Sequence, residues 1–173
     1  MNAAPFEVPG LRAVSIGVRE VRLLQDLLER CAEFHELVEG APPRADEAER
    51  FLRDYPARWD ERHVIGLARG DGPLCALLDV VSGWPEPGAW WIGLLLAAPE
   101  ERGKGLGTEI YGALEAWAAA RRARELGLVV QQQNPRARRF WERMGFREVG
   151  TALQRLPGRE SSVWRMRKQL LQP

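Results

Sequence analysis

Long apolar runs, net charge and cysteine are all scarce in this chain of 173 residues. No apolar stretch approaches the roughly 20 residues that a membrane-spanning helix needs, so we predict no membrane segment. The formal net charge of +1 gives no overall field that would attract nucleic acid or an anionic membrane surface. The first ten residues lack the basic start and apolar run of a signal peptide. We therefore expect a cytoplasmic protein whose partner is neither nucleic acid nor a membrane.

Cysteine is limited to Cys31 and Cys75, which lie in apolar surroundings without the spacing of metal ligands. We predict two buried thiols in a reducing compartment and no metal site. Lys104 and Lys168 are the only lysines, and the other basic residues are arginines. Genomic base composition accounts for such a bias, so the arginines alone do not predict a phosphate-binding surface.

The remaining composition is that of an ordinary globular domain, with 45% hydrophobic and 28% charged residues. The length allows one domain with a sizeable core, and no repeat, low-complexity segment or linker interrupts it. We predict a tail over residues 1–11 and one domain over residues 12–170. The sequence is compatible with a homodimer and does not decide the oligomeric state.

Apolar periodicity predicts the order strand, two helices, three strands, helix, strand, helix and two strands. A first strand at 12–18 precedes a helix from Val21 to about Phe34 and a second helix that ends near Pro56. The later elements are strands at 63–69, 74–81 and 90–96, a helix at 105–122, a strand at 126–130, a helix at 135–145 and strands at 146–153 and 162–170. This order indicates an α+β fold with a mixed sheet.

One junction between a strand and a helix has the composition of an anion-binding loop. The apolar strand stops at Pro99, and the loop that opens the next helix is Arg102, Gly103, Lys104, Gly105, Leu106, Gly107 and Thr108. Backbone N–H groups of such a loop and of a helix start converge on one point, where the helix dipole also favours an anion such as a pyrophosphate. The glycines let the backbone approach oxygens closely. A loop that merely connects strand to helix is the alternative that this segment alone leaves open.

Two other phosphate-binding motifs fit the chain less well. A P-loop needs Gly-Lys-Ser or Gly-Lys-Thr, and neither occurs. The dinucleotide fingerprint needs a third glycine where Thr108 stands. Both motifs are therefore disfavoured.

A second motif lies at the next junction, with Asn134 before a helix, the pair Phe140 and Trp141 within it, and Gly145-Phe146 at its end. Together with Arg102, Gly105 and Gly107 in the pattern [RQ]-x-x-G-x-[GA], it resembles the GNAT superfamily of N-acetyltransferases. The resemblance implies a mixed, mostly antiparallel twisted sheet of about seven strands flanked by about four helices. It also implies acetyl-CoA as cosubstrate and, as acceptor, a small-molecule amine or a peptide or protein amine.

The resemblance assigns further roles. The backbone N–H groups from Arg102 to Thr108 would bind the coenzyme A pyrophosphate. Leu95, Leu96 and Ala97 would pair with the pantetheine arm, and a bulge there would aim the Leu95 N–H at the thioester oxygen. Asn134 would hydrogen-bond near the pantetheine, and Phe140 with Trp141 would wall the thiol end. The implied reaction is direct attack by a primary amine in a ternary complex without a covalent enzyme intermediate, for which Cys31 and Cys75 are poorly placed.

Trp141 departs from the family at a position that is commonly tyrosine, whose hydroxyl would protonate the departing thiolate. A thiol has a pKa of about 8.5, so releasing thiolate at pH 7 costs about 2 kcal/mol, roughly a factor of 30. Turnover without this acid is plausible, and water, Tyr111 or a substrate group could replace it. The departure is also the main argument for an alternative, a module that binds or senses acyl-CoA without catalysis.

The base and the acceptor pocket are less clearly indicated. Glu36 and Asp79 are the candidate bases, although a solvated surface charge is the simpler interpretation of each. Trp84, Trp90 and Trp91 surround the start of the central apolar strand and would line an acceptor pocket; core packing is the alternative.

Overall fold

An eight-stranded sheet organises the computed structural model, which describes residues 2–53, 61–156 and 158–170. The strands are β1 (Asn2–Ala3), β2 (Arg12–Ser15), β3 (Glu61–Ala68), β4 (Leu74–Ser82), β5 (Ala89–Ala97), β6 (Glu125–Gln131), β7 (Arg147–Leu156) and β8 (Arg159–Gln169). Their order across the sheet is β1-β2-β3-β4-β5-β6-β8-β7. Among the described strands only β5 and β6 pair in parallel. The predicted α+β fold with a mixed, mostly antiparallel sheet is confirmed.

The segment predicted as a tail, residues 1–11, contributes to the sheet. It contains β1, which pairs with β2, and it buries Val8 in the core. Phe6 lies against Trp117 with a ring-centroid distance of 5.1 Å. The chain therefore joins the folded structure before residue 12.

Five α-helices flank the sheet within the described residues: α1 (Val21–Arg30), α2 (Ala32–Glu39), α3 (Glu47–Arg53), α4 (Leu106–Ala120) and α5 (Pro135–Arg143). The prediction of one helix from Val21 to about Phe34 is wrong, because the helix is interrupted at Cys31 and resumes as α2. α2 passes Phe34 and ends at Glu39, and Gly40 caps it with a left-handed φ of 81°. The predicted end of the next helix near Pro56 lies outside the described residues.

Helices cover both faces of the sheet, which explains the long apolar runs of its central strands. β4 is buried from Leu74 to Val81. Leu78 packs in a core cluster with Ile110 of α4, whereas Leu77 packs in a second cluster with Leu24 of α1. Because successive strand residues point to opposite faces, a strand covered on both sides needs apolar residues throughout. No helix in the described part of the chain is long and apolar enough to cross a membrane.

Candidate active site

β5 and β6 run side by side only at their beginning. Their parallel pairing joins Ala89–Trp91 with Glu125–Gly127, although β5 continues to Ala97 and β6 to Gln131. The opposite edge of β6 pairs with β8 along its whole length. Beyond Trp91, therefore, the edge of β5 that faces β6 has no strand partner among the described residues. Strand separation of this kind opens a cleft at the carboxyl ends of the two strands.

A β-bulge lies where this separation begins. Asp79 of β4 pairs with Leu94 and Val80 pairs with Ile92, so Gly93 is the extra residue. The bulge that we expected within Leu95–Ala97 thus lies two residues before Leu95. One inserted residue shifts the register, so Gly93 changes which backbone groups of the following residues face the neighbouring strand.

Backbone alternation gives the direction of the Leu95 N–H group. The Ala98 N–H donates to the Cys75 carbonyl of β4 at 2.9 Å. In an antiparallel ladder the residues that bond to one neighbour alternate with residues that face away from it. Leu95 and Ala97 accordingly direct their backbone groups toward the cleft. In agreement, the Ala97 carbonyl accepts a hydrogen bond from Arg102 Nε at 3.0 Å.

The loop before α4 presents a row of free backbone N–H groups. Gly103 and Gly105 have left-handed φ values of 77° and 89°, which side-chain-bearing residues rarely adopt. Within the described residues, the N–H groups of residues 103–107 have no hydrogen-bond acceptor. Gly107 lets α4 and α5 pack closely, because a Cβ there would lie 3.3 Å from the Phe140 ring, a tight contact. This loop therefore combines an anion-binding backbone with close packing of α4 against α5.

Arg102 fastens the loop to its surroundings. Besides its bond to the Ala97 carbonyl, its guanidinium forms an ion pair with Glu33 of α2. Nearby, the Cys31 Sγ lies 3.7 Å from the same carbonyl oxygen. Burial raises the pKa of the Cys31 thiol, although Arg102 partly opposes this shift. The Cys31 side chain is thus a buried, protonated thiol at neutral pH.

A groove of about 740 Å³ runs from this loop along β5 and α5. It is lined by all the predicted cofactor-binding residues except Lys104, which is exposed outside it: Leu95, Leu96, Ala97, Arg102, Gly103, Gly105, Leu106, Gly107, Thr108, Asn134, Phe140 and Trp141. The two motifs, separated in sequence by α4 and β6, thus form opposite walls of one groove.

Three arginines on α5 also line this groove and were missed by the sequence reasoning. Arg136, Arg139 and Arg143 recur at the i, i+3, i+7 spacing of one helix face. In the described part of the chain none of them has a carboxylate partner, so their charge is available to a ligand. The helical spacing was the signal that could have identified them, and the general arginine bias concealed it.

A second cavity of about 390 Å³ adjoins the groove. The two spaces share the lining residues Phe34, Leu95, Asn134, Ala137 and Trp141. After the roles that we propose for them below, we call the first space the cofactor groove and the second the acceptor cavity. A molecule in the groove and another in the cavity would meet beside Leu95 and Trp141.

The α5 motif builds the junction between the two spaces. Asn134 caps α5, because its Oδ1 accepts the Ala137 N–H at 3.0 Å. Trp141 is 7% exposed and packs at steep angles to its neighbours, with ring-centroid distances of 4.9 Å to Phe140 and 5.2 Å to Phe146. Its position at the junction therefore presents an indole and no hydroxyl.

Tyr111 does not supply the missing hydroxyl. It is 3% exposed, packs against Trp141 and lines neither space. Burial, and then the neighbouring carboxylate of Glu115, raise the pKa of Tyr111 well above its ordinary value. Proton donation from Tyr111 to a group in the cofactor groove is thus disfavoured by both position and pKa.

The structure keeps both predicted bases away from the two spaces. Asp79 is 1% exposed and accepts hydrogen bonds from Arg62 Nε at 2.9 Å and from its terminal nitrogen at 3.2 Å. Glu36 lies on the exposed face of α2. Neither side chain lines the cofactor groove or the acceptor cavity. The acidic or imidazole groups that do line the acceptor cavity are His35, Glu39 and Glu47, which the predictions did not select.

The three predicted acceptor-site tryptophans lie before the bulge, away from the junction. Trp90 is 5% exposed and packs against Trp117 at 4.8 Å. Trp84 and Trp91 pack edge to face at 4.6 Å. None of them lines the groove or the cavity. Core packing, the alternative interpretation, describes Trp90 best.

Comparison with known proteins agrees with this architecture. Residues 22–146 match the family model described as Acetyltransferase (GNAT) family. An acetyltransferase from Thermus thermophilus is 26% identical, with a TM-score of 0.73 over 94% of this chain and 99% of that chain. Spermidine N-acetyltransferase from Vibrio cholerae, solved with CoA and spermine, is 18% identical, with a TM-score of 0.71 over 93% and 96%.

Ribosomal-protein-S18-alanine N-acetyltransferase from Escherichia coli is 16% identical, with a TM-score of 0.68 over 92% of this chain and 94% of that chain. No curated protein matches the sequence significantly. The family match covers both motifs and most of the sheet, and the fold of the solved structures spans nearly the whole chain. The protein belongs to the GNAT family of acetyltransferases.

Proposed function

We propose that this protein is an N-acetyltransferase that moves an acetyl group from acetyl-CoA to a primary amine by direct attack in a ternary complex. The observation that carries the proposal is the pair of adjoining spaces that share Leu95 and Trp141. One space has the features of a phosphate-binding groove, and the other has room for a small acceptor or the end of a chain. Their junction is where two bound substrates would react.

The cofactor groove suits a nucleotide carrying phosphates and a long thin arm. Free N–H groups of residues 103–107 would bind the pyrophosphate of acetyl-CoA at the start of α4. Arg136, Arg139 and Arg143 would face its remaining phosphate, on the ribose, with charge that no carboxylate of the described residues neutralises. The unpaired edge of β5 at Leu95 and Ala97 would hydrogen-bond the amide groups of the pantetheine arm.

Leu95 would contribute most directly to the chemistry. Bound acetyl-CoA supplies an activated thioester. Its carbonyl oxygen gains negative charge during attack, and an N–H group fixed beforehand by the sheet stabilises that charge without reorganising. Removing one donor of this type typically slows catalysis by about 100- to 1,000-fold. The Gly93 bulge would give the N–H its direction, as the change in register at that position supports.

Direct attack agrees with the state of both cysteines. Cys31 and Cys75 are buried, and neither lines the groove or the cavity. Burial raises the pKa of each thiol, and the thiol form is a poor nucleophile. An acetylated cysteine would therefore be an unsuitable intermediate.

A protein that binds or senses acyl-CoA without catalysis is the second candidate. It is favoured by one observation: Trp141 provides no acidic hydroxyl at the junction, and Tyr111 is buried away from it. The missing acid accounts for only about 2 kcal/mol at pH 7, so it slows transfer by roughly a factor of 30 and does not prevent it. The enzyme is therefore the better-supported function.

A thermal-shift titration followed by an activity assay tests the proposal. Acetyl-CoA at about 100 times its Kd should stabilise the fold by about 2.7 kcal/mol, whereas ATP and NAD should not. Stabilisation by ATP or NAD with no effect of acetyl-CoA would exclude both candidates. Release of free CoA thiol should then require an added primary amine. Binding without amine-dependent release across a broad amine panel would favour the sensor.

A further inference from the structure

A cluster of titratable side chains lies in the acceptor cavity. His35 and Glu39 stand one helical turn apart on α2, and Glu47 is the first residue of α3. A ring nitrogen of His35 and one oxygen from each carboxylate all lie within 4.8 Å of one another. All three side chains line the cavity. α2 begins after the interruption at Cys31, and the face of it that carries His35 and Glu39 lines the cavity.

His35 carries an orphaned buried atom. The residue is 7% exposed, and its Nε2 is buried with no hydrogen-bond partner. Buried polar atoms in folded proteins are ordinarily hydrogen-bonded, so an orphan on a residue that lines the cavity points to a polar partner supplied by a bound molecule. A neutral imidazole offers one lone pair and one N–H, and it can therefore accept a hydrogen bond from a bound donor.

The cavity also has an excess of negative charge. Within the described residues, neither Glu39 nor Glu47 has a lysine or arginine ion-pair partner. Glu47 Oε2 accepts the backbone N–H of Arg44 at 3.2 Å, which leaves Oε1 for a ligand. Arg50 contributes one positive charge to the same lining, against the two carboxylates. One additional cation in the cavity would balance these charges.

The three ligand atoms lie within 4.8 Å of one another, a limit that accommodates an ammonium group. Acceptors that receive N–H bonds of about 2.9 Å from a tetrahedral ammonium lie about 4.7 Å apart. A zinc ion needs ligand atoms about 3.4 Å apart, which the 4.8 Å limit also permits, but it usually needs a hydrogen bond that orients the ligating imidazole as well. No hydrogen bond in the described part of the chain orients the ring of His35. An organic cation therefore suits the cluster better than a metal ion.

We propose that His35, Glu39 and Glu47 bind a second cationic group of the acceptor, so that the enzyme acts on primary amines carrying another ammonium group. The inference rests on the proposed function and names its substrate class. The reacting amine must lose its proton before attack, whereas the second amine stays charged in the cluster. A monoamine of equal length lacks this contact, and the cavity thereby selects diamines.

Matched substrate pairs test the selectivity. The kcat/KM values are measured with acetyl-CoA for 1,3-diaminopropane, 1,4-diaminobutane and 1,5-diaminopentane, each against the monoamine with the same number of carbons. We expect kcat/KM of the best of the three diamines to exceed that of its matched monoamine by at least about 10-fold, because one hydrogen bond to a charged group usually contributes that much. In the double variant Glu39→Gln/Glu47→Gln this ratio should fall close to one through a higher KM for the diamine.

Glu49→Gln is the matched control. It removes one carboxylate from the exposed face of α3, two residues after Glu47, and lies outside the cavity. The diamine ratio should stay at its wild-type value in this variant. The acetyl-CoA thermal shift, measured on every variant, establishes that the cofactor groove remains intact.

The outcomes separate this inference from the proposed function. Equal kcat/KM values for diamines and monoamines in the wild type would overturn the inference and leave acetyl transfer standing. If no amine is acetylated, the proposed function fails, and calorimetric titration with 1,4-diaminobutane then tests the inference alone. Binding to the wild type that is lost in the double variant supports the inference. Absence of binding to the wild type overturns it. Stoichiometric Zn²⁺ binding that the double variant abolishes, without any diamine preference, would also overturn it.

Discussion

An Asp79→Asn substitution removes one charge from a buried ion pair and tests whether this carboxylate is structural or catalytic. Asp79 is 1% exposed, and Arg62, which binds it through two hydrogen bonds, has a side chain that is 12% exposed. Arg62 also donates to the carbonyls of Phe51 and Leu52 at 3.1 and 3.4 Å, so the pair connects β3 and β4 to the end of α3. Asparagine retains the shape of aspartate but brings a donor group toward the guanidinium.

The expected cost follows from this burial. Removing one partner of a buried ion pair destabilises a protein by about 3–5 kcal/mol. Because asparagine has the shape of aspartate and leaves no cavity, we expect Asp79→Asn to cost about 3 kcal/mol. For a chain of this length about 3 kcal/mol corresponds to a Tm lower by about 6–12 °C. Since Asp79 lines neither space, kcat at 25 °C should change by less than about twofold. Differential scanning calorimetry and the CoA-release assay measure the two quantities.

An exposed ion pair provides the control. Arg155 and Glu160 lie 2.6 Å apart with side chains 84% and 50% exposed, so Glu160→Gln should cost less than about 1 kcal/mol. An Asp79→Asn protein with unchanged Tm and a large loss of kcat would refute the reasoning. It would return Asp79 to the role of base that the sequence suggested.

Three further predictions concern the loop, the junction and the core. Gly105→Glu should abolish the acetyl-CoA thermal shift of about 5–11 °C. Gly105→Ala imposes the same φ strain without a charge and should retain the shift. Retained affinity in the glutamate variant would contradict the proposed position of the pyrophosphate. Trp141→Tyr should raise kcat at pH 7 by up to about 30-fold relative to Trp141→Phe, which lacks the hydroxyl; equal rates would show that thiolate release is not limiting. Burial lowers the pKa of His63 despite the opposing effect of Glu61, so the unfolded chain binds the proton more tightly. The stability that His63 contributes is therefore lost as pH falls below about 6.5, by no more than about 1.4 kcal/mol per pH unit. His63→Phe should flatten this dependence of the unfolding free energy on pH, measured by urea denaturation between pH 5 and 8. An unchanged dependence would contradict the prediction.

The cofactor groove was largely predictable because short-range chemistry determines it. Glycines that adopt left-handed φ, a helix start and a capping asparagine are local features, and each leaves a mark within a few residues of sequence. Gly103 and Gly105 have the positive φ values that their residue type suggests, and Asn134 caps α5. From β3 onward the order of strands and helices also followed from local periodicity, whereas β1 and the division of α1 from α2 did not.

The acceptor cavity was not predictable, because long-range packing forms it. His35 lies on a helix that the apolar pattern ended near Phe34, and nothing in that pattern marks the interruption at Cys31. Glu36 has the same charge as Glu39 but is exposed, whereas Glu39 lies on the helix face that the fold turns toward the cavity. Asp79 appeared free because its partner Arg62 lies 17 residues earlier, on the neighbouring strand.

The unpaired edge of β5 links the fold to the proposed chemistry. Unpaired backbone groups at a sheet edge are costly when buried, and proteins usually pair or cover them. Here the edge beyond Trp91 opens onto the groove, and the same separation of β5 from β6 creates the space that α2 and α5 enclose. Under the proposed function, the pantetheine arm would pair with these groups and extend the sheet, and its thioester would then lie beside Leu95. Because the strand is fixed on its other edge by β4, the Leu95 N–H keeps its direction before any substrate binds, which is the condition for electrostatic stabilisation without reorganisation.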